Sequence, residues 1–301
     1  MRALVTGAGG FVGGHLVHHL AACGDDVVEL EGRVDGIDIT EPDDLTQAIV
    51  KAEPEAVYHL AGASDVGGSW AAPRATFLAN ALGTLNVLEA SREAGVGRVL
   101  AVTSADVYGR VTEAELPLDE DQPLRPVSPY AASKVAADAL AQQAWLGHRL
   151  PVIRVRAFNH LGPGQSDLFV APSLAARIAR NERDGGDTVP IGNLEPRRDV
   201  TDVRDVVRAY RLLIERGTAG EVYNVCSGRA VAVREIAEHL LGLALRPMRL
   251  VSDPDLERPV DIPVLVGDNR KLTAATGWTP TIPLEQTLAD VLADWRARLT
   301  T

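Results

Sequence analysis

Three side chains in the first half of the sequence form a set that can move a proton. Tyr130 and Lys134 lie four residues apart in a predicted helix, so both project from the same helix face. An ammonium group beside Tyr130 favours the phenolate and lowers its pKa from the usual value of about 10. Such a tyrosine exchanges protons near neutral pH, and Ser104 adds a hydroxyl at the end of a predicted strand. By spacing alone, the pair also fits an ordinary exposed helix surface.

A glycine pattern near the N-terminus supplies the context for these residues. Three glycines, each three residues from the next, follow the predicted strand 2–6 and lead into the opening of the predicted helix 11–22. Glycines permit a tight turn and close backbone approach, and a helix N-terminus offers unpaired N–H groups to a pyrophosphate. The pattern therefore predicts a dinucleotide-binding turn. The residues expected to contact the dinucleotide there are Gly7, Gly10, Phe11, Val12 and Gly13.

The end of the second predicted strand, 26–31, bears on the type of dinucleotide. A carboxylate at Glu31 can accept hydrogen bonds from the adenosine ribose and repels a 2′-phosphate, which favours NAD. Arg33 argues the other way, because it can pair with that phosphate. Asp38 and Ile39 suit the adenine amino group and ring. The sequence therefore predicts NAD or NADP as cofactor, with Glu31 weighing for NAD.

The composition limits the classes of partner. The chain has 301 residues, with 30 Lys plus Arg against 41 Asp plus Glu, a formal charge of −11. Such a charge disfavours nucleic acid and anionic membrane surfaces. The two cysteines, Cys23 and Cys226, are too few for a disulfide framework or a zinc site, so we expect no metal. With no signal peptide or membrane span recognisable, we expect a cytoplasmic protein.

Short Val-, Leu- and Ala-rich runs alternate with stretches of helical period through the first half of the chain. The predicted strands are 2–6, 26–31, 56–60, 98–103 and 151–156. The predicted helices are 11–22, 41–52, 77–94 and 130–147. This alternation predicts an α/β fold, a doubly wound parallel sheet of the Rossmann type. The carboxyl edge of such a sheet carries its binding sites, which is where Ser104 falls.

After about residue 160 the pattern changes, since prolines and glycines break the chain into loops and short elements until about residue 196. Periodic order returns over 202–215, 221–225, 231–242 and 284–298. We predict a cofactor-binding domain over 1–160, to which 197–226 returns. A smaller mixed α/β substrate-binding region then comprises 161–196 and 227–301.

Several short motifs together resemble the extended short-chain dehydrogenase/reductases that act on nucleotide sugars. They are the glycine turn, His59-Leu60-Ala61-Gly62, Asn80 with Gly83-Thr84, Ser104 before Val107-Tyr108-Gly109, and Tyr130 with Lys134. The resemblance covers essentially the whole chain. It implies that Ser104 and Tyr130 hold the sugar 4-oxygen, and that Lys134 binds the nicotinamide ribose and steadies Tyr130. It also implies cofactor contacts by Leu60, Ala61 and Gly62.

The second half resembles the GDP-4-keto-6-deoxy-mannose reductases and the neighbouring GDP-mannose 4,6-dehydratases. The matching runs are 156–165, 192–205, 223–228 and 258–259. The resemblance implies a GDP-sugar substrate, with Asn159, Arg198 and Arg258 around its diphosphate or ribose. Arginine forks suit phosphate oxygens, which they pair with in two parallel bonds. Ser104, Asp106 and Val170 complete the expected substrate contacts.

Three reactions fit this family, and all move a hydride to or from sugar C4. A dehydratase also needs an acid/base after the active-site serine, where this chain has Ala105 and the short Asp106. A 4-epimerase needs tightly held NAD, whereas a 4-ketoreductase needs only hydride, a proton and a polarised carbonyl. The second half favours the ketoreductase, and the other two remain alternatives. The complete serine, tyrosine and lysine set argues against a catalytically inactive redox sensor.

The resemblance also implies a homodimer. Its interface would form from the predicted helices 77–94 and 130–147, packed as four helices. The alanines of the second helix permit close approach, although packing against the sheet explains some of them equally well.

Overall fold

The computed structural model describes residues 1–256 and 262–300, with Arg33 described by its backbone only. The strands are β1 (Arg2–Thr6), β2 (Asp26–Leu30), β3 (Ala56–His59), β4 (Arg98–Ser104), β5 (Val152–Ala157), β6 (Asn159–Leu161), β7 (Thr188–Ile191), β8 (Arg197–Asp202), β9 (Val222–Val225), β10 (Ala230–Ala232), β11 (Arg249–Ser252) and β12 (Val264–Leu265). The helices are α1 (Phe11–Ala22), α2 (Gly32–Asp35), α3 (Pro42–Ala52), α4 (Pro73–Phe77), α5 (Gly83–Glu93), α6 (Pro129–His148), α7 (Val170–Asp184), α8 (Val203–Arg216), α9 (Val233–Gly242), α10 (Arg270–Thr276) and α11 (Leu284–Arg298).

A six-stranded sheet in the order β2-β1-β3-β4-β5-β9 forms the centre of the fold. All five neighbouring pairs are parallel, so every strand ends at the same edge. The chain moves outward from β1 to β2 and then in the opposite direction from β3. The loops after β1 and β3 therefore diverge, which opens a crevice at the carboxyl edge. The predicted doubly wound parallel sheet is confirmed.

Helices cover both faces of this sheet. Val5 of β1 packs into a core with Leu16 of α1 and Leu213 of α8. Its neighbour Leu4 points the other way, into a second core that includes Ile49 of α3 and residues of α5 and α6. Successive side chains of a strand alternate between faces, so a strand covered on both sides is apolar throughout. This explains the continuous apolar runs of the sequence.

A second, mixed sheet lies downstream, where β8 pairs with β10 antiparallel and with β6 and β12 in parallel. Strands β7 and β11 form a separate parallel pair. Helices α7, α9 and α11 pack against these strands in a third core. Strand β9 belongs to the large sheet, as its parallel register with β5 shows. The division into domains at the bounds given above stays a prediction.

Helix α7 is the main element that the sequence does not predict. It runs for 15 residues through a region expected to hold loops and short elements. Pro172 is its third residue, within the first turn, where a backbone N–H has no partner inside the helix and proline is tolerated. The apolar Leu174 and Ile178 of α7 are then buried one turn apart. The helix predicted over 77–94 also differs, since it starts at Pro73 and contains a π-helical turn over Leu78–Leu82.

Candidate active site

The crevice at the carboxyl edge opens into a cleft of about 1350 Å³. It is bordered by the segments that follow β1, β2, β3, β4 and β5 and by parts of the second sheet. Most of the residues expected from the sequence to form the site border this one cleft. They are Gly7, Gly10, Phe11, Val12, Gly13, Glu31, Asp38, Ile39, Leu60, Ala61, Gly62, Ser104, Asp106, Tyr130, Lys134, Asn159 and Arg198.

Three expected site residues do not appear there. Val170 is the first residue of α7, 41% exposed, and is not among the residues that border the cleft, so its substrate contact stays a prediction. Its neighbour Phe169 borders the cleft instead, because the chain turns into the helix between the two. The Arg33 side chain and Arg258 lie outside the described residues.

The glycine turn forms a cradle in which side chains would not fit. Gly7 has a φ of +73°, and a Cβ built there would lie 2.8 Å from the backbone nitrogen of Ala61. A Cβ on Gly13 would lie 2.0 Å from the Gly7 carbonyl oxygen. Gly10, the N-cap of α1, provides no side-chain hydrogen bond to the amides of the first turn, and these amides lie at the cleft. A cradle with a helix N-terminus fits a dinucleotide diphosphate.

The far end of the cleft carries acidic and apolar groups. The Glu31 carboxylate lies directly over the glycine turn, since a Cβ on Gly9 would be 2.0 Å from its Oε2. The Asp38 carboxylate accepts a hydrogen bond from the Thr40 amide at 2.8 Å. The Ile39 side chain packs on Gly83 at the start of α5. These positions suit the ribose and base of an adenosine half.

Ser104 and Asp106 form a short hydrogen-bonded turn at the end of β4. The Ser104 hydroxyl donates to the Asp106 carboxylate at 2.9 Å, and the Asp106 amide donates to the Ser104 oxygen at 3.1 Å. Tyr130 stands beside this turn as the second residue of α6. Its pKa lies above the ordinary value, mainly because of burial and then because of the Asp106 charge, while Ser104 lowers it.

Lys134 is one helical turn further along α6 and is also buried. Its ammonium donates to the Val102 carbonyl at 3.2 Å, and burial lowers its pKa to about 8. The sequence predicts that Lys134 lowers the pKa of Tyr130. In the structure, burial and the Asp106 charge raise the pKa of Tyr130, so the phenol keeps its proton at neutral pH. A protonated phenol is a proton donor.

A chain of buried hydrogen bonds fixes Tyr130 relative to the cofactor side of the cleft. Asn80 accepts from the Ala63 amide at 2.8 Å and donates to the Ser133 hydroxyl at 2.9 Å. Ser133 in turn donates to the Tyr130 carbonyl at 2.7 Å. The loop after β3 and the first turn of α6 are thereby tied to one amide. This network explains the structural role of Asn80, which belongs to one of the motifs that carry the family resemblance.

Arg198 of β8 reaches the cleft from the second sheet. Its guanidinium donates to the Ile262 carbonyl at 2.6 Å, and the next residue, Asp199, anchors the strand. The buried Asp199 carboxylate accepts four hydrogen bonds, two from Ser227 and one each from the amides of Gly228 and Gly267. Asp199 therefore holds the strand segment from which Arg198 extends.

Sequence reasoning missed several residues that border the cleft. They are His160, Gln165, Phe169 and Tyr210. His160 and Gln165 fall in a run that carries the family resemblance, so that run was a usable signal. The signal for Tyr210 is a hydroxyl on the buried face of the amphipathic helix α8.

Among residues 1–256 and 262–300, no helix has the length and apolar character needed to cross a bilayer. In the same residues, no three His, Cys, Asp or Glu side chains meet as a metal site requires.

This protein has a parallel doubly wound sheet, with a glycine cradle and a Ser-Tyr-Lys set at its carboxyl edge. These features define the class of nicotinamide-dependent oxidoreductases. The model of the NAD dependent epimerase/dehydratase family matches residues 3–226, and the chain belongs to that family. The chain is 40% identical to a GDP-6-deoxy-D-mannose reductase from Pseudomonas aeruginosa, over 99% of this chain and 98% of that protein. It is 31% identical to a UDP-glucose 4-epimerase from Mycolicibacterium smegmatis, over 98% and 99%.

The solved structures agree with this family. The structure of RMD from Pseudomonas aeruginosa complexed with NADPH superposes with a TM-score of 0.91 at 39% identity, covering 99% of this chain and 100% of that one. The NAD complex of UDP-glucose 4-epimerase from Thermus thermophilus gives a TM-score of 0.88 at 28% identity, covering 98% and 99%.

Proposed function

We propose that this protein reduces the C4 ketone of a nucleotide-linked 4-keto-6-deoxy-hexose, with NADH or NADPH as the reductant. The substrate we favour is GDP-4-keto-6-deoxy-mannose, and the product a GDP-6-deoxy-hexose. One observation carries the proposal: Ser104, a protonated Tyr130 and Lys134 border the same cleft as the glycine cradle. The full-length similarity to a GDP-6-deoxy-D-mannose reductase supports this choice of substrate.

Each residue of the set has a definite task in this reduction. A bound reduced nicotinamide supplies the hydride to C4. Ser104 and Tyr130 hold the ketone oxygen and polarise the carbonyl, and Tyr130 donates its hydroxyl proton to that oxygen. Lys134, largely protonated at neutral pH, binds the ribose beside the nicotinamide and stabilises the tyrosinate that remains. The carbonyl thus gains one hydride and one proton.

The diphosphate of the sugar nucleotide is assigned to the opposite side of the cleft. Arg198 and Asn159 border it there and offer donors to phosphate oxygens or ribose hydroxyls. Arg258 is proposed for the same role on its family resemblance. The cradle of Gly7 and Gly13 is assigned to the cofactor.

Reduction fits the turn after β4 better than dehydration does. A dehydratase needs a base that reaches the C5 proton, whereas Asp106 is engaged by Ser104 and Ala105 has no proton to exchange. Epimerisation with tightly held NAD stays the alternative, since UDP-glucose 4-epimerases are among the relatives. It differs in needing no added reductant.

We also propose a cytoplasmic homodimer. Large apolar side chains are exposed on the two helical segments named for the interface: Phe77 and Leu78 on one and Leu146 of α6 on the other, 43–61% exposed. A second copy would cover them. Both described cysteines are free thiols, in keeping with a reducing compartment.

The first experiment follows absorbance at 340 nm when purified protein receives NADH or NADPH with GDP-4-keto-6-deoxy-mannose. We expect stoichiometric oxidation of one cofactor and a GDP-6-deoxy-hexose identified by NMR. Tyr130→Phe should lose most turnover, about 10²-fold or more, while it still binds the sugar nucleotide. No oxidation, combined with conversion of a sugar nucleotide without added reductant, would refute the reductase in favour of an epimerase or dehydratase.

A further inference from the structure

Tyr210 of α8 has a hydroxyl for which the described residues provide no hydrogen-bond partner. The side chain is fully buried in the core between α8 and the large sheet. The residue nevertheless borders the cleft. A buried hydroxyl without a partner is unfavourable. A polar group of a bound molecule that hydrogen-bonds it would remove this cost.

The direction of α8 explains how Tyr210 reaches the cleft. The helix starts at the carboxyl edge of the sheet, where Val203 lies close to Gly162. Phe11 at the start of α1 is also a neighbour of Gly162. It ends at the amino edge, where Arg98 at the start of β4 donates to the Ile214 carbonyl at 2.9 Å. Helical side chains lean toward the N-terminus of their helix, so the Tyr210 ring leans toward the cleft.

Tyr210 lies on the opposite side of the sheet from the catalytic helix. Tyr130 and Lys134 come from α6 on one face, and Tyr210 comes from α8 on the other. Both tyrosines border the same cleft, one from each side of the sheet. A ring placed for chemistry at Tyr130 would therefore lie near both tyrosines.

We propose that the Tyr210 hydroxyl hydrogen-bonds the carboxamide of the bound nicotinamide. This inference rests on the proposed function, since it requires a nicotinamide cofactor in the cleft. The carboxamide is the group on the nicotinamide ring that both donates and accepts hydrogen bonds, and a tyrosine hydroxyl can take either part. The contact would fix the rotation of the ring and hence the face from which hydride leaves.

The test compares two tyrosines that differ in position. Tyr58 is buried in the same core and also has an unpartnered hydroxyl, but it does not border the cleft. Isothermal titration calorimetry gives the Kd of NADH, NADPH and ADP-ribose, which lacks nicotinamide, for the wild type, Tyr210→Phe and Tyr58→Phe. Thermal melting checks that each variant is folded. Neither variant loses a hydrogen bond within the described structure, so both should remain stable.

We expect Tyr210→Phe to weaken the preferred dinucleotide about threefold to tenfold and to leave ADP-ribose unchanged. Tyr58→Phe should change neither. An unchanged dinucleotide Kd in Tyr210→Phe overturns the inference, as does an equal loss for ADP-ribose, which places the hydroxyl at the shared half. If the wild type binds ADP-ribose but neither dinucleotide, the proposed function itself fails.

Discussion

The hydroxyl of Ser104 donates a hydrogen bond of 2.9 Å to the carboxylate of Asp106, two residues further along the same turn. This bond keeps a negative charge close to Tyr130 at the centre of the cleft. The charge raises the pKa of Tyr130, as burial does, and so favours the phenol over the phenolate. Asp106 therefore bears on the direction of proton transfer as well as on the position of Ser104.

Replacing Asp106 by asparagine should move the pH dependence of ketone reduction. Reduction needs the protonated phenol, so activity falls as the pH rises through the pKa of Tyr130. Asparagine can still accept the Ser104 bond but lacks the charge that raises this pKa. We expect the alkaline decline of kcat/KM to shift to lower pH in Asp106→Asn, as measured by pH–rate profiles.

Other charged groups near Tyr130 set the background for this comparison. Lys134 lies one turn along the same helix, and Tyr210 borders the cleft from α8. His59 of β3 stays neutral, since burial lowers its pKa to about 3. Asp187→Asn removes an exposed charge outside the cleft and should leave the profile in place. An alkaline decline at the same pH in Asp106→Asn and the wild type would contradict the role.

The second prediction concerns the glycine cradle. Gly13→Ala would place a Cβ 2.0 Å from the Gly7 carbonyl oxygen, a backbone atom that cannot move without opening the turn. We expect a stability loss of about 1–3 kcal/mol or more and a marked loss of ADP-ribose affinity. Gly14→Ala is the matched control, since its Cβ would meet nothing closer than 4.0 Å. It should gain about 0.5–1 kcal/mol, because alanine favours the helix. Thermal melting and calorimetry measure both; equal behaviour of the two variants would disprove the cradle.

Local features of the sequence predicted much of this site. The glycine spacing and the Tyr130–Lys134 interval act within one turn or one helix, so their geometry follows from the chain itself. The position of Val170 and the existence of α7 depend on how the second region packs, which local periodicity does not contain. The unpartnered hydroxyl of Tyr210 is a property of the packed fold, which local sequence does not contain. The pKa of Tyr130 likewise depends on burial, which spacing cannot give.

The third prediction tests the diphosphate side. Arg198→Ala should raise KM for the sugar nucleotide about 10- to 100-fold, since a hydrogen bond to a charged group contributes about 1.5–3 kcal/mol. The effect on kcat should be much smaller if the contact is equal in substrate and transition state. Arg197→Ala is the control, because that neighbouring side chain is exposed and lies outside the cleft. Steady-state kinetics with equal KM for both variants would remove Arg198 from the binding site.

The last prediction concerns the choice between NADH and NADPH. The Glu31 carboxylate lies over the glycine turn at the end of β2, where it can accept from ribose hydroxyls and repels a 2′-phosphate. We expect the wild type to have the higher kcat/KM with NADH, even though a relative at 39% identity was solved with NADPH. Glu31→Gln removes the repulsion and should raise kcat/KM for NADPH relative to NADH.

Glu29→Gln separates this effect from the general charge of the strand. Glu29 lies on β2, two residues before Glu31, and its exposed side chain does not border the cleft. Glu29→Gln removes one negative charge, as Glu31→Gln does, but removes no ribose contact. The ratio of kcat/KM for NADH to kcat/KM for NADPH should therefore stay at the wild-type value. If Glu31→Gln also keeps that ratio, the carboxylate does not select the cofactor. Selection would then have to come from another group at the adenosine end, because the 2′-phosphate is the only chemical difference between the two cofactors.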